Sequence, residues 1–484
     1  MKIIKKVLDI IKKRKIFKNK EVTDIILIQC PPWDVSIPPL GIAYLSDYLK
    51  KHDYYVYPFD LNIELYHSAK AADKYLWEQK SYDHWVKDEL YEKTWHSLRK
   101  ISGKILEQAF KKYNTEYVGL SVNFASIKIA GEIIKVIKSL NPRTKIILGG
   151  WGCVNGHMRS LFPKELVDVF VIGEGEETLL EVLDKLKGKI DKTRIPGAIF
   201  NKLGQDTYES RESIIDLDSI PWPKYSEFNL NLYIKKAMPL FASRGCIGHC
   251  TFCNDWPLSK PYRFRSAHNI FEEIQYHVKT YHINYFSFKD LLCNGNIEEL
   301  NLLCDLIIDS GLQIHWDSQA ITRKEMTREL LRKLKRSGCG TLIYGVENFS
   351  NNVLRRMKKM FTKEIAEKVL KNTYEIGINA CINIIVGFPG ETEMDFEENL
   401  ESIKRNYKYI TQIGAVSVCL VNNDSDLEIN SKEYGLVLPD DSRTRAKQWY
   451  TSDGQNTYEI RKMRADKMLK LIKDLKLSYA TITV

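Results

Sequence analysis

The sequence predicts an α/β protein with two successive sheets. The first is a doubly wound, Rossmann- or flavodoxin-like parallel sheet. The second is a partial (β/α)6 barrel of the TIM type, followed by a small, mainly helical C-terminal region. Three observations predict this. Short runs rich in Ile, Val and Leu alternate with amphipathic helical patterns through residues 21–205, as in βα units that wind one parallel sheet. After a linker at 206–236, six further strand-then-helix units run over 237–421; right-handed units in succession curl toward a barrel, and six stop two short of closure. The length of 484 residues exceeds what one core organises.

In chain order, DIILIQCPP (24–32) reads as a buried strand halted by Pro-Pro, and PPLGIAYLSDYLKKHD (38–53) as a loop and helix. YYVYPFDLN (54–62) and TEYVGLSVN (115–123) are the second and third strands, and ASIKIAGEIIKVIKSLNP (125–142) is a helix stopped by its proline. TKIILGGWG (144–152) is a strand ending in glycines; VDVFVIGEGEETLLEVLDKL (167–186) is a fifth strand and its helix. Residues 64–112, with Trp77, Trp85 and Trp95, interrupt the alternation as a helical insertion that either caps the ligand edge of the sheet or packs between domains. The linker contains IIDLDSIPWPKYSEFNL (214–230), an extended crossing. Barrel strands are expected at 238–243, 283–290, 312–320, 340–347, 378–389 and 412–421. The region 422–484 turns helical at TYEIRKMRADKMLKLIKDLKL (457–477) and is expected to close the barrel mouth and shape the substrate pocket. In both sheet types ligands gather at the carboxyl ends of the strands.

With 44% apolar and 28% charged residues the composition is globular, and no apolar run approaches the roughly 20 residues of a membrane span. The net charge of +10 is uneven: residues 1–20 hold nine Lys or Arg and one Asp, with Ile3, Ile4, Val7, Leu8 and Ile11 at helical spacing. Charges break any apolar core there, so the segment is no secretory signal. A basic amphipathic helix of this kind lies on an anionic membrane, contacts nucleic acid, or packs on its neighbour with a solvated face. Ten cysteines without an export signal point to a reducing, cytoplasmic compartment. Peripheral membrane contact through residues 1–20 is a further expectation; a nucleic-acid partner is not expected.

SRGCIGHCTFCND (243–255) brings Cys246, Cys250 and Cys253 together just past the first barrel strand, on the predicted active face. Reducing conditions disfavour a disulfide. A zinc site remains open, with His249 as a recruitable ligand. So does a four-iron cluster, on which three thiolates leave one iron free for a small chelating molecule.

In this context the chain resembles the radical S-adenosylmethionine (SAM) superfamily, whose CxxxCxxC signature follows the first strand of a six-unit barrel. The resemblance implies a [4Fe-4S] cluster on Cys246, Cys250 and Cys253, and places Phe252 near the SAM adenine. It implies polar contacts to SAM from Glu347 in YGVE and from Ser318 and Gln319 beside Asp317 in WDSQ, and a cofactor contact at Gly387 in GFPGET (387–392), whose glycines otherwise form the turn. Its chemistry is one-electron cleavage of SAM to methionine and a 5′-deoxyadenosyl radical, which removes hydrogen from an unactivated carbon. An electron donor such as flavodoxin or ferredoxin is implied with it.

The first domain resembles the cobalamin-binding domain carried by many radical SAM proteins. PPLGIAYLSDYLKKH, GLSVN, ILGGWG and VIGEGEETLLE recur there in this order. They bring Leu40, Gly41, Ser121, Asn123, Gly149, Gly150, Trp151, Gly173, Glu174, Gly175 and Glu176 forward as cofactor contacts. One part departs. The family's Asp-x-His loop reads Asp60-Leu61-Asn62 here, and His52 and His67 lie off it. Cobalamin without a protein histidine below the cobalt is therefore implied, with Asn62 beside it.

The implied function is a cobalamin-dependent radical SAM enzyme, most characteristically a methyltransferase acting on an unactivated carbon of a small molecule, lipid or peptide. Cyclisation, rearrangement or carbon–carbon coupling in the same cofactor class is the alternative; a cobalamin or metal sensor without turnover is a further one. Methylthiolation also uses GFPGET, but needs three N-terminal cysteines, and only Cys30 and Cys153 precede Cys246.

Overall fold

A computed structural model of the chain describes residues 21–201, 207–255, 259–440 and 442–483. The basic segment 1–20 lies outside the described residues. The rest forms two compact units: residues up to 212 with 220–236, and 213–219 with the chain from 237 onward. The linker thus divides. Arg263 Nη1 donates to Ile214 O in the second unit, and Tyr233 donates to Asp60 in the first.

The first unit is built on β1 (Ile25–Gln29), β2 (Val56–Asp60), β3 (Tyr117–Ser121), β4 (Lys145–Gly149), β5 (Val169–Val171) and β6 (Ala198–Phe200). The sheet order is β2-β1-β3-β4-β5-β6, parallel except for the last pair. Every residue of β1 is buried because the sheet is covered on both faces. Ile25 and Leu27 pack under α1 (Leu40–Lys51), and Ile26 and Ile28 pack on the opposite face. Each such fully buried side chain contributes about 1.5–3 kcal/mol. The winding reverses between β1 and β3, so the loops leaving those strands diverge and open a crevice there.

The insertion joins this core. After α2 (Leu61–Ser68) it runs through short turns to α3 (Asp88–Lys112), whose Leu98 and Leu106 meet Ile129 and Ile133 of α4 (Ile127–Leu140). Trp85 is 1% exposed and donates to Leu76 O. α5 (Gly175–Leu186) covers the other face. β6 is an addition to the five strands expected.

The second unit is an open sheet of seven parallel strands in chain order: β7 (Met238–Leu240), β8 (Tyr285–Phe288), β9 (His315–Ala320), β10 (Cys339–Glu347), β11 (Asn379–Val386), β12 (Gln412–Val418) and β13 (Ser478–Thr483). Helices α6 (Ala267–Tyr281), α7 (Ile297–Asp309), α8 (Arg328–Arg336), α9 (Lys363–Glu375) and α10 (Glu393–Asn406) lie between them. Side chains alternate along each strand. Trp316 and Tyr344 face the helices, bonding Ser337 O and Thr373 Oγ1, whereas Tyr285, Ser287 and Asp317 meet one another on the concave side. The tail is more than helical: α11 (Tyr458–Asp474) leads into β13, which pairs with β12 from Gln412↔Ser478 onward. Among the described residues no helix is long and apolar enough to cross a membrane.

Candidate cofactor sites

The cysteine loop starts from a buried anchor. Asp290, past the end of β8, accepts the N–H of Ala242 (2.8 Å) and the N–H and hydroxyl of Ser243. Burial pushes its carboxyl up to about 6, against the pull of these donors. Gly245 follows at φ +84°, and an added Cβ would stand 2.6 Å from Ser259 O, so only glycine makes this turn. The sulfurs of Cys246 and Cys250 then flank Gly248, whose N–H donates to Cys246 Sγ at 3.3 Å; the N–H of Asp255 donates to Cys253 Sγ at 3.4 Å. The loop is tied to the rest of the unit by Thr251 N–H to Met357 O, Leu427 N–H to Thr251 O, and Asn422 Nδ2 to Phe252 O.

All three cysteines are half-buried. Burial raises the Cys246 thiol, while the Gly248 N–H and the charge of Lys359 draw it back. Among the described residues no group of three His, Cys, Asp or Glu side chains is gathered to hold a metal ion. The chemistry of the donor set fits an iron–sulfur cluster: three thiols on one loop, two taking backbone N–H donors, beside a buried ammonium that offsets thiolate charge.

That ammonium is Lys359. Its Nζ donates to Gly345 O at 2.8 Å, stands 3.5 Å from Glu347 Oε1, and lies 5.3 Å from the centroid of the Phe252 ring. Burial works against its charge, but Cys250 and Glu347 hold its pKa above the ordinary lysine value. Glu347, at the end of β10, has φ +68°. A register shift in β10 between Tyr344 and Glu347 precedes it, and Gly345 leaves the space that the ion pair fills. A left-handed non-glycine residue at a strand end is strained and held by its surroundings.

Of the residues expected at this site, Phe252 and Glu347 therefore meet through Lys359. Gln319 is exposed at the end of β9 on the same face as Asp317. Ser318 is a correction: it is 1% exposed, alternates onto the helix-facing side with Trp316, and its hydroxyl donates to Gln319 O. Gly387 is another. At φ +71° it packs against the tail, where an added Cβ would stand 2.2 Å from Arg461 Cγ. Arg461 is fully buried, stacks 3.6 Å from the Trp449 ring centroid, and donates to Lys447 O and Trp449 O. Glu391 of the same turn pairs with Arg464 at 3.0 Å, and burial pushes its carboxyl up to about 7.

In the first unit, the loops leaving β1, β3 and β4 carry Trp33, Phe124 and Trp151, each 39% exposed. Three exposed aromatics at the switch-point edge suit a large ligand with broad apolar faces. Gly173, at φ +84°, has open space around it, and Gly41 is likewise open. Leu40, Ser121, Gly149, Glu174 and Gly175 are partly accessible at the same carboxyl ends. Gly150, at φ +94°, also lets the β4 loop close on the β3 loop, since a Cβ would sit 2.6 Å from Val122 O.

Three residues expected here have other work. Asn62 is fully buried, accepts from Trp33 N and Trp77 Nε1, and donates to Trp33 O. Asn123 caps the turn at Phe124 and donates to Pro32 O. Glu176 is 4% exposed within α5. No imidazole stands at the β2 loop: His67 bonds Leu232 O and His52 bonds Tyr48 O.

Residues 240–403 match the radical SAM superfamily. The chain is 24% identical over 393 residues to an uncharacterized methyltransferase of Pyrococcus horikoshii, covering 78% of each. It is 23% identical to the cytidylyl-2-hydroxyethylphosphonate methyltransferase of Streptomyces wedmorensis, covering 84% of this chain and 80% of that one. Its fold matches TsrM, a radical SAM methyltransferase from Kitasatospora setae solved with cobalamin and a [4Fe-4S] cluster, with a TM-score of 0.71 at 15% identity over 96% of this chain and 93% of that one. The chain thus carries a radical SAM domain over residues 240–403, in a fold that it shares with TsrM.

Proposed function

We propose that this enzyme binds cobalamin on its first unit and a [4Fe-4S] cluster with SAM on its second, and methylates an unactivated carbon. The observation that carries the reading is the three-cysteine loop at the carboxyl end of β7, in a chain that also bears an aromatic-rimmed switch-point edge on a doubly wound sheet. When bound, the cluster and SAM supply a 5′-deoxyadenosyl radical and the cobalamin supplies a transferable methyl group. Cys246, Cys250 and Cys253 hold three irons, Phe252 lies by the adenine, and Gln319 and Glu347 offer polar contacts to SAM. Gly387 acts by shaping the turn under α11. In the first unit Gly41, Gly173 and Trp151 border the cofactor, while Asn62 and Asn123 fix the loops around it.

A low-potential one-electron donor of the flavodoxin or ferredoxin kind serves the cluster, and the substrate is a small molecule, lipid or peptide. Residues 1–20 provide a peripheral membrane contact, tested by liposome pelleting with and without them. The function is tested by anaerobic reconstitution with iron, sulfide and cobalamin, then turnover with candidate substrates. Methylation yields a product heavier by one CH₂, with S-adenosylhomocysteine beside 5′-deoxyadenosine. A product formed with 5′-deoxyadenosine alone would replace methylation by cyclisation or coupling. Methylthiolation is disfavoured because Cys30 and Cys153 are both fully buried, and burial raises both thiols.

A further inference from the structure

Lys358 and Lys359 are neighbours in sequence with opposite fates. Lys358 is exposed and pairs with Asp426 at 3.0 Å. Lys359 turns inward, where its side chain is 7% exposed. Its ammonium donates to Gly345 O at 2.8 Å, stands 3.5 Å from Glu347 Oε1, and sits over the rings of Phe252 and Phe361 at 5.3 and 5.9 Å. Phe252 lies between Cys250 and Cys253 in the chain, so the contact with its ring sets the ammonium beside the cysteine loop. Two carbonyl or carboxylate oxygens and two aromatic faces hold one buried cation beside three thiols.

We propose that Lys359 is a positioning residue of the three-cysteine site, which holds Glu347 in its left-handed backbone state and supplies the fixed positive charge that favours the reduced cluster. This rests on the radical SAM reading of the loop. Three thiolates give a bound cluster excess negative charge, and taking up one electron adds more. A cation fixed nearby in a medium of low polarity lowers the energy of the reduced state relative to the oxidised one. Glu347 opposes part of that effect, so the pair sets the local charge as a unit. Gly345 is part of the arrangement, because a Cβ there would stand 3.1 Å from Glu347 Oε1 and 3.6 Å from Lys359 Nζ.

The test uses the full chain, reconstituted anaerobically with iron and sulfide and poised at a series of potentials without SAM, with the reduced cluster read by electron paramagnetic resonance. Iron uptake by the wild type tests the radical SAM reading; the difference between variants tests the role of Lys359. Lys359→Met is expected to keep its iron while its ratio of reduced to oxidised cluster at a fixed potential falls on the order of tenfold. Lys359→Arg is expected to retain the wild-type ratio. Equal ratios in wild type and Lys359→Met overturn the proposal. If Lys359→Met does not hold iron, Glu347→Gln decides: it leaves the ammonium uncompensated and is expected to raise the reduced fraction, and no change or a fall overturns the proposal.

Discussion

Asp60 gives the first unit a pH dependence opposite to that of a typical salt-bridged carboxylate. Its side chain is 5% exposed, accepts from Ile63 N at 3.0 Å and takes the Tyr233 hydroxyl at 2.8 Å. Burial outweighs those donors and pushes the carboxyl up to about 7. The folded state therefore binds a proton more tightly than the unfolded chain, whose aspartates titrate near about 3.9. The stabilisation is fully present below the unfolded value and is lost as pH rises through the folded one. Urea unfolding at pH 5.5 and pH 8 should show the first unit losing about 2 kcal/mol over this range, the part of the three-unit shift that lies between pH 5.5 and the folded value of about 7. Asp60→Asn keeps an acceptor for Ile63 N and places an amide against the tyrosine oxygen, so it should flatten the dependence. An unchanged slope would mean that Asp60 is ionised in the fold. At this scale the sequence was uneven. Cys246, Cys250 and Cys253 stand out by their spacing, and Glu347 only through the resemblance to the radical SAM superfamily. Lys359 does not stand out, since Lys358 beside it is the same residue and only packing separates them. Asn62 and Asn123 came forward with the motifs of the cobalamin-domain resemblance, but their hydrogen bonds turn inward.

Among the elements, the tail helix α11 has the largest consequence for the barrel motifs. Arg461 reaches beneath the turn at Gly387, and Asn456 Nδ2 donates to Gly387 O at 3.0 Å and Phe388 O at 3.2 Å. Gly387→Ala meets both a left-handed backbone and the Arg461 side chain, and should destabilise the second unit by about 2–3 kcal/mol. Arg461→Ala removes the Trp449 stack and its carbonyl partners and should cost about 3 kcal/mol. The two effects should not add: in an Arg461→Ala background the clash is gone, and Gly387→Ala should cost only the backbone part, about 1 kcal/mol. A double-mutant cycle in urea gives the coupling, and strict additivity would remove Arg461 from the turn. Elements with long apolar runs were readable to within a few residues, as β1, β3, β4 and α4 show. β6 has three residues and pairs antiparallel, so no periodicity announces it. β13 follows a long helix, and its short, polar-rich SYATIT reads poorly as a core strand. The insertion was read as helical, but its place in the core of the first unit depends on Trp85 and Leu98 meeting side chains far away in sequence.

For the whole molecule, the relevant fact is that each unit carries its own buried core and its own set of candidate cofactor residues. Ile25–Gln29 and its neighbours form the first core, and Val353, Phe388 and Trp449 belong to the second. No residue of the cysteine loop lies in the first unit, and neither Gly150 nor Trp151 lies in the second. Loading of the two sets is therefore expected to separate by mutation. Replacing Cys246, Cys250 and Cys253 together by Ala should abolish iron, from about four per chain, while about one cobalt per chain remains. The reciprocal change is Gly150→Val. At φ +94°, with Val122 O 2.6 Å from an added Cβ, it should displace the β4 loop, lower cobalt and leave iron at the wild-type level. Metal analysis of both variants after identical reconstitution checks this. Loss of cobalt from the triple cysteine variant, with its far-ultraviolet circular dichroism unchanged, would show that the two sites load as one and overturn their independence.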